Sequence, residues 1–332
     1  MAWMPAAATL SVPVPAPIHA VIAAACHALE TGAAATLVVV VETDGSTYAQ
    51  PGGLALFGPG AARTGWLSGG CLEPAIARRA AHSADTGTLG WMEVDTRDDA
   101  ALLSGSALGC RGRLRLALLP LREMPGLAIP LHAWIAGGGA AHWTIARDGG
   151  VALAVDQVRR AWRMPAGPVG WDGASAWTPR IDAPAHVLLC GGGPETPLLA
   201  PLLRDLGWRL TLAERRSAWT TLGALVHRLV PDPAAALAGA PCVDAALVMH
   251  HNFELDLEAL AALAPAQVPF VGLLGPVRRR DDLFRVLAPD VRTALQGRLH
   301  APVGLDLGGR GAEAIALSIA AQLQAWRHGR PT

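Results

Sequence analysis

A cysteine in a glycine-rich turn is the residue of this chain best suited to chemistry. Cys71 follows Ser68, Gly69 and Gly70 and comes directly before a predicted helix, residues 72–81. Paired glycines allow a sharp bend and leave backbone N–H groups uncovered. A helix N-terminus favours anions and increases the thiolate character of a cysteine. Because a thiolate is a soft ligand, the turn predicts contact with a softer metal or with sulfur; the alternative is a buried cysteine at a tight turn.

Hydroxyl groups on a loop in the same half of the chain could bind an oxyanion. Residues 37–41 are apolar and β-branched, so they predict a buried strand, and Ser46 and Thr47 follow in a segment rich in turn residues. An ordinary connecting loop is an equally open interpretation. Residues 54–57 and 64–67 predict a hairpin that delivers the chain to the cysteine turn.

A second glycine-flanked cysteine lies downstream. Residues 91–94 predict a short strand that leads to Asp95 and Arg97. Cys110 follows 39 positions after Cys71 (110 − 71). These polar and thiol side chains are candidate neighbours for the first cysteine.

The second half begins with the pattern of a nucleotide-binding fold. Residues 186–190 predict a buried strand, which is followed by glycines including Gly191 and Gly193, a helix, and a strand over residues 208–212. Glu214 stands 23 positions after Gly191 (214 − 191). A Rossmann-like βαβ unit carries an acid near this position for the ribose of NAD.

Three residues of this loop depart from the phosphate-binding pattern. Thr196 stands at the third glycine position, Pro194 removes an N–H donor, and Glu195 places negative charge near a bound phosphate. The pattern therefore predicts the Rossmann-like fold but disfavours tight NAD(P) binding. A nicotinamide-dependent oxidoreductase stays the alternative function.

Basic and polar side chains are predicted at the carboxyl edge of the same sheet. Residues 245–249 predict a strand that ends at His250 and His251, and Arg278 opens a run of three arginines after the next strand. Open α/β sheets bind ligands at this edge, so His251 could contact a ligand and Arg278 a phosphate. A hydrogen-bonded histidine pair and a solvated helix start are the alternatives.

The composition provides ample apolar material for packed cores. Of 332 residues, 52% are hydrophobic and 16% are charged, with 27 basic and 27 acidic side chains. A net charge near zero predicts neither nucleic-acid nor membrane-surface binding. We predict no membrane span and no secretory signal. Five dispersed cysteines without a CxxC pair argue against disulfides and structural zinc and favour a cytoplasmic location.

The element pattern predicts an α/β protein with two main domains. Residues 17–120 form an N-terminal α/β domain with the glycine-rich cysteine loop, and residues 185–327 form a Rossmann-like domain with a doubly wound parallel sheet. Residues 121–184 are predicted to hold variable strands and a linker. Within them, residues 165–184 are rich in proline, glycine and tryptophan and look like an interdomain connection.

In their order and spacing, motifs from both halves resemble the XdhC/CoxI family. They are Gly45-Ser46-Thr47-Tyr48, Ser68-Gly69-Gly70-Cys71-Leu72-Glu73, Asp95-Thr96-Arg97-Asp98-Asp99, Gly109-Cys110-Arg111-Gly112, Cys190-Gly191-Gly192-Gly193, Val271-Gly272-Leu273-Leu274-Gly275, Arg278-Arg279-Arg280 and His300-Ala301-Pro302-Val303-Gly304-Leu305-Asp306. Members of this family are accessory factors that bind molybdenum cofactor and help to insert it into xanthine-dehydrogenase-type enzymes.

The resemblance implies a maturation factor rather than a catalyst. Its cofactor would be molybdopterin, and its partners a xanthine-dehydrogenase-type molybdoenzyme, a cysteine desulfurase and a second copy of the chain. Cys71 would contact the metal or its exchangeable sulfur, and Glu73 would bond the pterin or stabilise the helix N-terminus. The candidate cofactor-binding residues are Ser46, Thr47, Ser68, Gly69, Gly70, Cys71, Glu73, Asp95, Arg97, Cys110, Gly191, Gly193, Glu214, His251 and Arg278.

Overall fold

The computed structural model describes residues 16–60, 62–95, 112–239 and 242–329, and these fall into two units that divide between Ala183 and Pro184. Arg97 and Cys110 lie outside the described residues, so their predicted roles stay predictions, as does the division of the first unit at residue 120. Within the described part of the chain, no helix is long and apolar enough to cross a membrane.

The first unit consists of short helices and two antiparallel sheets. Its elements are α1 (Ile18–Thr31), β1 (Thr36–Gly45), β2 (Leu54–Phe57), β3 (Arg63–Thr64), α2 (Glu73–Thr86), β4 (Gly90–Asp95), β5 (Gly112–Pro120), a 3-10 turn (Leu121–Glu123), α3 (Ala128–Ile135), β6 (Ala141–Ala146), β7 (Gly150–Val155), β8 (Val158–Arg163), β9 (Ala176–Trp177) and β10 (Arg180–Ile181).

The larger sheet of this unit has the strand order β3-β2-β1-β5-β4 and is covered by a helix on each face. Side chains alternate along β1: Leu37 and Val39 face the cluster that includes α1, whereas Val38 and Val40 face the cluster that includes α2. Because both faces are buried, the predicted apolar strand is confirmed and extends through Gly45. Helix α2 thereby holds its N-terminal turn over one face of the sheet.

The prediction that residues 165–184 merely connect two domains is wrong. Strands β9 and β10 both pair with β6, in the smaller sheet of order β10-β6-β7-β8. Trp171 and Trp177 are buried against Trp91, with ring centroids 6.0 and 5.0 Å from that of Trp91. The Trp177 Nε1–H also donates to Glu42 at 2.9 Å. The segment is therefore part of the core of the first unit.

The second unit is a parallel sheet with helices between its strands. Its elements are β11 (His186–Cys190), α4 (Thr196–Asp205), β12 (Arg209–Ala213), a 3-10 turn (Thr220–Leu225), β13 (Arg228–Val230), α5 (Pro233–Ala238), β14 (Ala245–Val248), α6 (Phe253–Leu263), β15 (Phe270–Leu273), α7 (Val277–Val286), α8 (Pro289–Leu295), β16 (Leu299–His300) and α9 (Ala312–Arg327).

The strand order of this unit is that of a Rossmann-like fold. The sheet runs β13-β12-β11-β14-β15-β16, and every pair is parallel. If β11 is counted as the first strand, the order is 3-2-1-4-5-6, and its topological switch point lies between β11 and β14. The predicted α/β fold class is therefore confirmed, and the carboxyl ends of β11 and β14 meet where such folds place ligands.

Two element boundaries near the cysteine turn differ from the predictions. The second strand of the hairpin covers only Arg63–Thr64, because Gly65 adopts φ +91° and the chain leaves the sheet there. An added Cβ at Gly65 would approach Val21 to 2.8 Å, so the turn also needs a residue without a side chain. The helix after the turn continues to Thr86, where Gly87 ends it in the left-handed conformation.

Candidate functional site

The turn that carries Cys71 is built around the hydroxyl of Ser68. This side chain is buried. Its Oγ accepts hydrogen bonds from the backbone N–H groups of Gly70 and Leu72, each at 3.2 Å, and donates one to Glu73. Ser68 therefore uses its hydrogen-bonding capacity inside the turn. The Gly70 N–H, which the sequence predicts would be uncovered, is used there as well.

Glu73 lies beneath the turn at the first position of α2 and is 2% exposed. One carboxylate oxygen accepts from the N–H groups of Ser68 at 2.9 Å and Leu67 at 3.2 Å, and the other accepts from the Ser68 hydroxyl. Burial alone would raise the pKa of Glu73, but these hydrogen bonds hold its pKa below the usual value. The contacts support a role in fixing the helix N-terminus rather than in binding a pterin.

Cys71 and Gly69 are the exposed members of this turn. The interpretation of Cys71 as a buried cysteine is therefore wrong. Its Sγ lies 3.8 Å from the Ser68 Oγ. An added Cβ at Gly69 would meet nothing within 4 Å, so the outer side of the turn is open. At Gly70 the backbone has φ +108°, a conformation that favours glycine.

The loop after β1 lies over the same face of the sheet as the Cys71 turn, because Ala49 and Leu72 pack against the same apolar cluster. Ser46 and Thr47 begin that loop, at the sheet end where β4 ends with Asp95. The Thr47 Oγ1 donates to the Ala49 carbonyl at 2.8 Å. Thr47 is thus committed to a local turn, whereas Ser46 is exposed. Oxyanion binding by these hydroxyls stays a prediction.

The glycine loop after β11 uses its own backbone donors. The N–H groups of Gly191, Gly192 and Gly193 donate to the Ala213 carbonyl at 2.9 Å, the Glu214 carboxylate at 2.7 Å and the Thr196 hydroxyl at 3.0 Å. Side chains also cover the loop. Added Cβ atoms would meet His250 at Gly191, Leu222 and Trp219 at Gly192, and Glu195 and His251 at Gly193. A pyrophosphate would have to displace these contacts to reach the backbone.

The predicted ribose contact of Glu214 is replaced by contacts within the protein. Its side chain is 0% exposed and pairs with Arg216. Burial alone would raise the pKa of Glu214, but hydrogen bonds from Arg216 and from the Gly192 N–H hold its pKa below the usual value. Arg216 also donates to the carbonyls of Gly192 at 2.8 Å and His250 at 2.7 Å. Arg216 therefore fixes the glycine loop to the end of β14.

Both histidines after β14 have carboxylate neighbours. The His250 Nδ1 lies 3.2 Å from Asp256, and the His251 Nε2 lies 3.1 Å from Glu195. His251 adopts φ +55°, unusual for a residue other than glycine, and its side chain is half exposed. This arrangement matches the hydrogen-bonded pair considered above. Among the described residues, no group of three or more His, Cys, Asp or Glu side chains could hold a metal ion.

The arginine that reaches this edge is Arg279 rather than Arg278. The Arg278 side chain is 91% exposed and lies 3.8 Å from Asp282 on its own helix. The Arg279 guanidinium donates to the buried Asp256 at 2.6 and 3.1 Å. Successive helical residues point about 100° apart, so a run of three arginines cannot place all three on one edge. The proposed phosphate contact of Arg278 therefore has no support from its position.

Four further side chains at this edge were not among the candidate cofactor-binding residues. They are Arg216, His250, Asp256 and Arg279. Arg216 and Arg279 lie close in sequence to candidate residues. The position after a strand end could have indicated Arg216, and the helical phase could have indicated Arg279. The pairing of Asp256 with Arg279 joins residues 23 positions apart, and no local pattern indicates it.

Comparisons with known proteins agree with both halves of the chain. The model of the XdhC and CoxI family matches residues 28–95, and the model of the XdhC Rossmann domain matches residues 187–323. A curated relative from Bacillus subtilis (strain 168), named as a probable subunit of xanthine dehydrogenase, is 25% identical over 320 residues. That match covers 89% of this chain and 94% of the relative.

A solved structure shares the fold. It is described as a xanthine dehydrogenase from Bacillus halodurans and matches with a TM-score of 0.74 at 23% sequence identity. The match covers 93% of this chain and 97% of that one. The likeness therefore extends over both units.

Proposed function

Because the chain belongs to the XdhC/CoxI family, we propose that it is an accessory protein of a xanthine-dehydrogenase-type enzyme that binds molybdenum cofactor through Cys71. The accessory role rests on the family models and on the name of the curated relative. The cofactor role rests on one observation: Cys71 is exposed on a turn in which the side chains of Ser68 and Glu73 are bonded inward.

The donor set around Cys71 fits a metal that brings its own ligands. Molybdenum cofactor carries a pterin ring, a phosphate and a metal held by dithiolene sulfurs. Such a group needs at most one protein ligand and not a cage of three or more donors. The described residues provide no such cage, but Cys71 provides a soft sulfur ligand.

The inward bonds of the turn would hold the thiol in a fixed position. Ser68 and the ionised Glu73 bind the backbone on both sides of the two glycines. A site of this kind loses little conformational entropy when a ligand arrives, which favours binding. The open space at Gly69 leaves the approach to Cys71 clear.

The second unit supports this proposal better than it supports an oxidoreductase. A dinucleotide would need the N–H groups of the glycine loop and the carboxylate of Glu214, and the protein uses all of them. We therefore assign this unit a structural or partner-binding role. The proposed partners are the molybdoenzyme that receives the cofactor, a cysteine desulfurase that supplies sulfur, and a second copy of this chain.

The test is cofactor retention by full-length protein produced in a molybdenum-replete host. Wild-type protein is expected to carry molybdenum and pterin, measured by metal analysis and by fluorescence of the oxidised pterin. Cys71→Ala is expected to lose most of both, because it removes the only sulfur ligand of the turn. Cys242→Ala is the matched control, since Cys242 is also an exposed free cysteine.

Equal retention by the two variants would rule out Cys71 as the ligand. Absence of pterin from wild-type protein would contradict the cofactor role as a whole. Circular dichroism of each variant checks that the fold is intact.

A further inference from the structure

A cavity of about 470 Å³ lies beside α2, between that helix and the β2–β3 hairpin. The middle of the helix wall is formed by the small side chains Ala77, Ala81 and Ala84, so a ligand could approach α2 closely there. The opposite wall includes Phe57 and Arg63. The volume is in the range of small-molecule sites.

Arg63 lies in this cavity without an acceptor among the described residues. No carboxylate of the described residues is within ion-pairing distance of its guanidinium, and its Nε–H is buried without a hydrogen-bond partner. The guanidinium carbon lies 3.9 Å from the centroid of the Trp66 ring. The Trp66 Nε1–H is also buried and has no hydrogen-bond partner in the described part of the chain. Buried donors are nearly always bonded in native proteins, but four other buried indole N–H groups of the described residues also lack partners, so it is the unbonded Arg63 Nε–H that requires an explanation.

Two carboxylates also line the cavity, and neither neutralises Arg63. Glu73 has both oxygens occupied by Ser68 and Leu67. Asp85 is exposed, lies at the end of α2 opposite Glu73, and forms no ion pair with Arg63 among the described residues. Arg63 is the one cation among the lining residues that the structure describes. Its side of the cavity is therefore suited to an acceptor that carries negative charge.

An indole ring and the start of α2 link the cavity to the Cys71 turn. Trp66 lies under Arg63, and its ring edge is 3.4 Å from the position of an added Cβ at Gly70. Glu73 and Pro74, which directly follow the turn, also line the cavity. A ligand that contacts Cys71 and extends along α2 would thus reach Arg63.

We propose that Arg63, supported by Trp66, binds the phosphate group of the ligand held at Cys71. This inference rests on the proposed function, which supplies a phosphate-bearing ligand. The Ser68 hydroxyl already takes the N–H groups of Gly70 and Leu72, so these two donors of the turn are not available to a phosphate. A guanidinium is well matched to phosphate, because its planar fork donates two parallel hydrogen bonds.

The first experiment titrates inorganic phosphate into full-length protein labelled with [15N]tryptophan. The Trp66 indole signal is assigned from its absence in Trp66→Phe. Phosphate is expected to shift this signal saturably, whereas sodium chloride at matched ionic strength is not. Arg63→Gln is expected to weaken phosphate binding by about tenfold or more, because a charge-assisted hydrogen bond is lost. Arg78→Gln is the control, since Arg78 is an exposed arginine on α2 that does not line the cavity.

An equal phosphate response in Arg63→Gln and wild type would overturn the inference, and so would a response that chloride reproduces. The remaining tryptophan signals report whether the variants stay folded.

The second experiment measures molybdopterin retention for the same variants, which separates this inference from the proposed function. Molybdopterin retention that is lowered in Arg63→Gln but not in Arg78→Gln would support both the phosphate assignment and the proposed function. Wild-type retention in Arg63→Gln would contradict the phosphate assignment and leave the role of Cys71 intact. A third outcome is wild-type protein that carries no pterin and still binds phosphate through Arg63. That result would support an oxyanion site at Arg63 and contradict the cofactor role.

Discussion

The two glycine-rich turns of this protein have similar sequences and opposite surroundings. Each joins a strand region to a helix, and each has a buried glutamate with a lowered pKa, Glu73 or Glu214. In the first turn the buried glutamate accepts hydrogen bonds from the backbone on the inner side of the turn, and Gly69 and Cys71 are exposed to solvent. In the second turn, side chains cover all three glycines. A glycine motif therefore predicts a bend, whereas its availability to a ligand depends on side chains from elsewhere.

The largest expected effect tests whether the first turn depends on its glutamate. Glu73→Ala would leave the buried N–H groups of Leu67 and Ser68 without an acceptor, so we expect it to lower the free energy of unfolding by about 3 kcal/mol. Glu30→Ala, at an exposed position on α1, should change it by less than about 0.5 kcal/mol. Urea denaturation measures both. Similar values for the two variants would show that the turn does not need Glu73.

A smaller effect compares the glycines directly. Gly192→Ala would bring a Cβ to 2.8 Å from Leu222 and 3.1 Å from Trp219, so we expect a loss of about 2 kcal/mol from overpacking. Gly69→Ala meets no atom within 4 Å and should cost less than about 0.5 kcal/mol. Thermal unfolding of the two variants is the measurement. If Gly69→Ala were the more damaging substitution, the contrast between an open and a covered turn would be wrong.

The smallest effect concerns acid pH. Glu214 has a lowered pKa in the native protein, whereas its pKa in the unfolded chain is about 4.3. The native state therefore binds fewer protons, so this stabilisation is complete above about pH 4.3 and is lost as the pH falls through the native pKa. Glu214→Gln should remove this part of the pH dependence. Urea unfolding across acid pH, compared with Glu258→Gln at a half-exposed position, would detect it; an unchanged slope in Glu214→Gln would contradict the assignment.

The sequence was most informative where local pattern determines structure. The run of valines in β1 and the strand–glycine–helix order after β11 predicted these elements and the Rossmann-like topology. The family resemblance agreed with the comparisons, and the cysteine turn lies at the start of the predicted helix. For the individual elements the deciding information lies within about 20 neighbouring residues, whereas the resemblance depends on the order of motifs along the whole chain.

Contacts that only the folded chain reveals explain what the sequence could not indicate. The acceptor for the Gly192 N–H lies 22 residues away, so spacing could not reveal that Glu214 was occupied. Arg278 was the candidate phosphate contact, but Arg279 is the arginine that reaches the sheet edge. A run of arginines does not indicate which of its members the helix directs toward the sheet. Arg63 and Trp66 were overlooked although only three residues apart, since an unbonded donor becomes visible only when its surroundings are known.

Residues 165–181 pack against the first unit, and this packing determines where the chain can be cut into stable fragments. A fragment that ended at Met164 would retain the larger sheet but lose Trp171 and Trp177, and would expose the apolar surface around Trp91 that they cover. A fragment that ended at Ala183 would keep that surface closed. The shortest fragment that keeps the aromatic cluster of the first unit intact therefore extends about 20 residues beyond the end of β8. The composition of this added segment nevertheless resembles that of a linker.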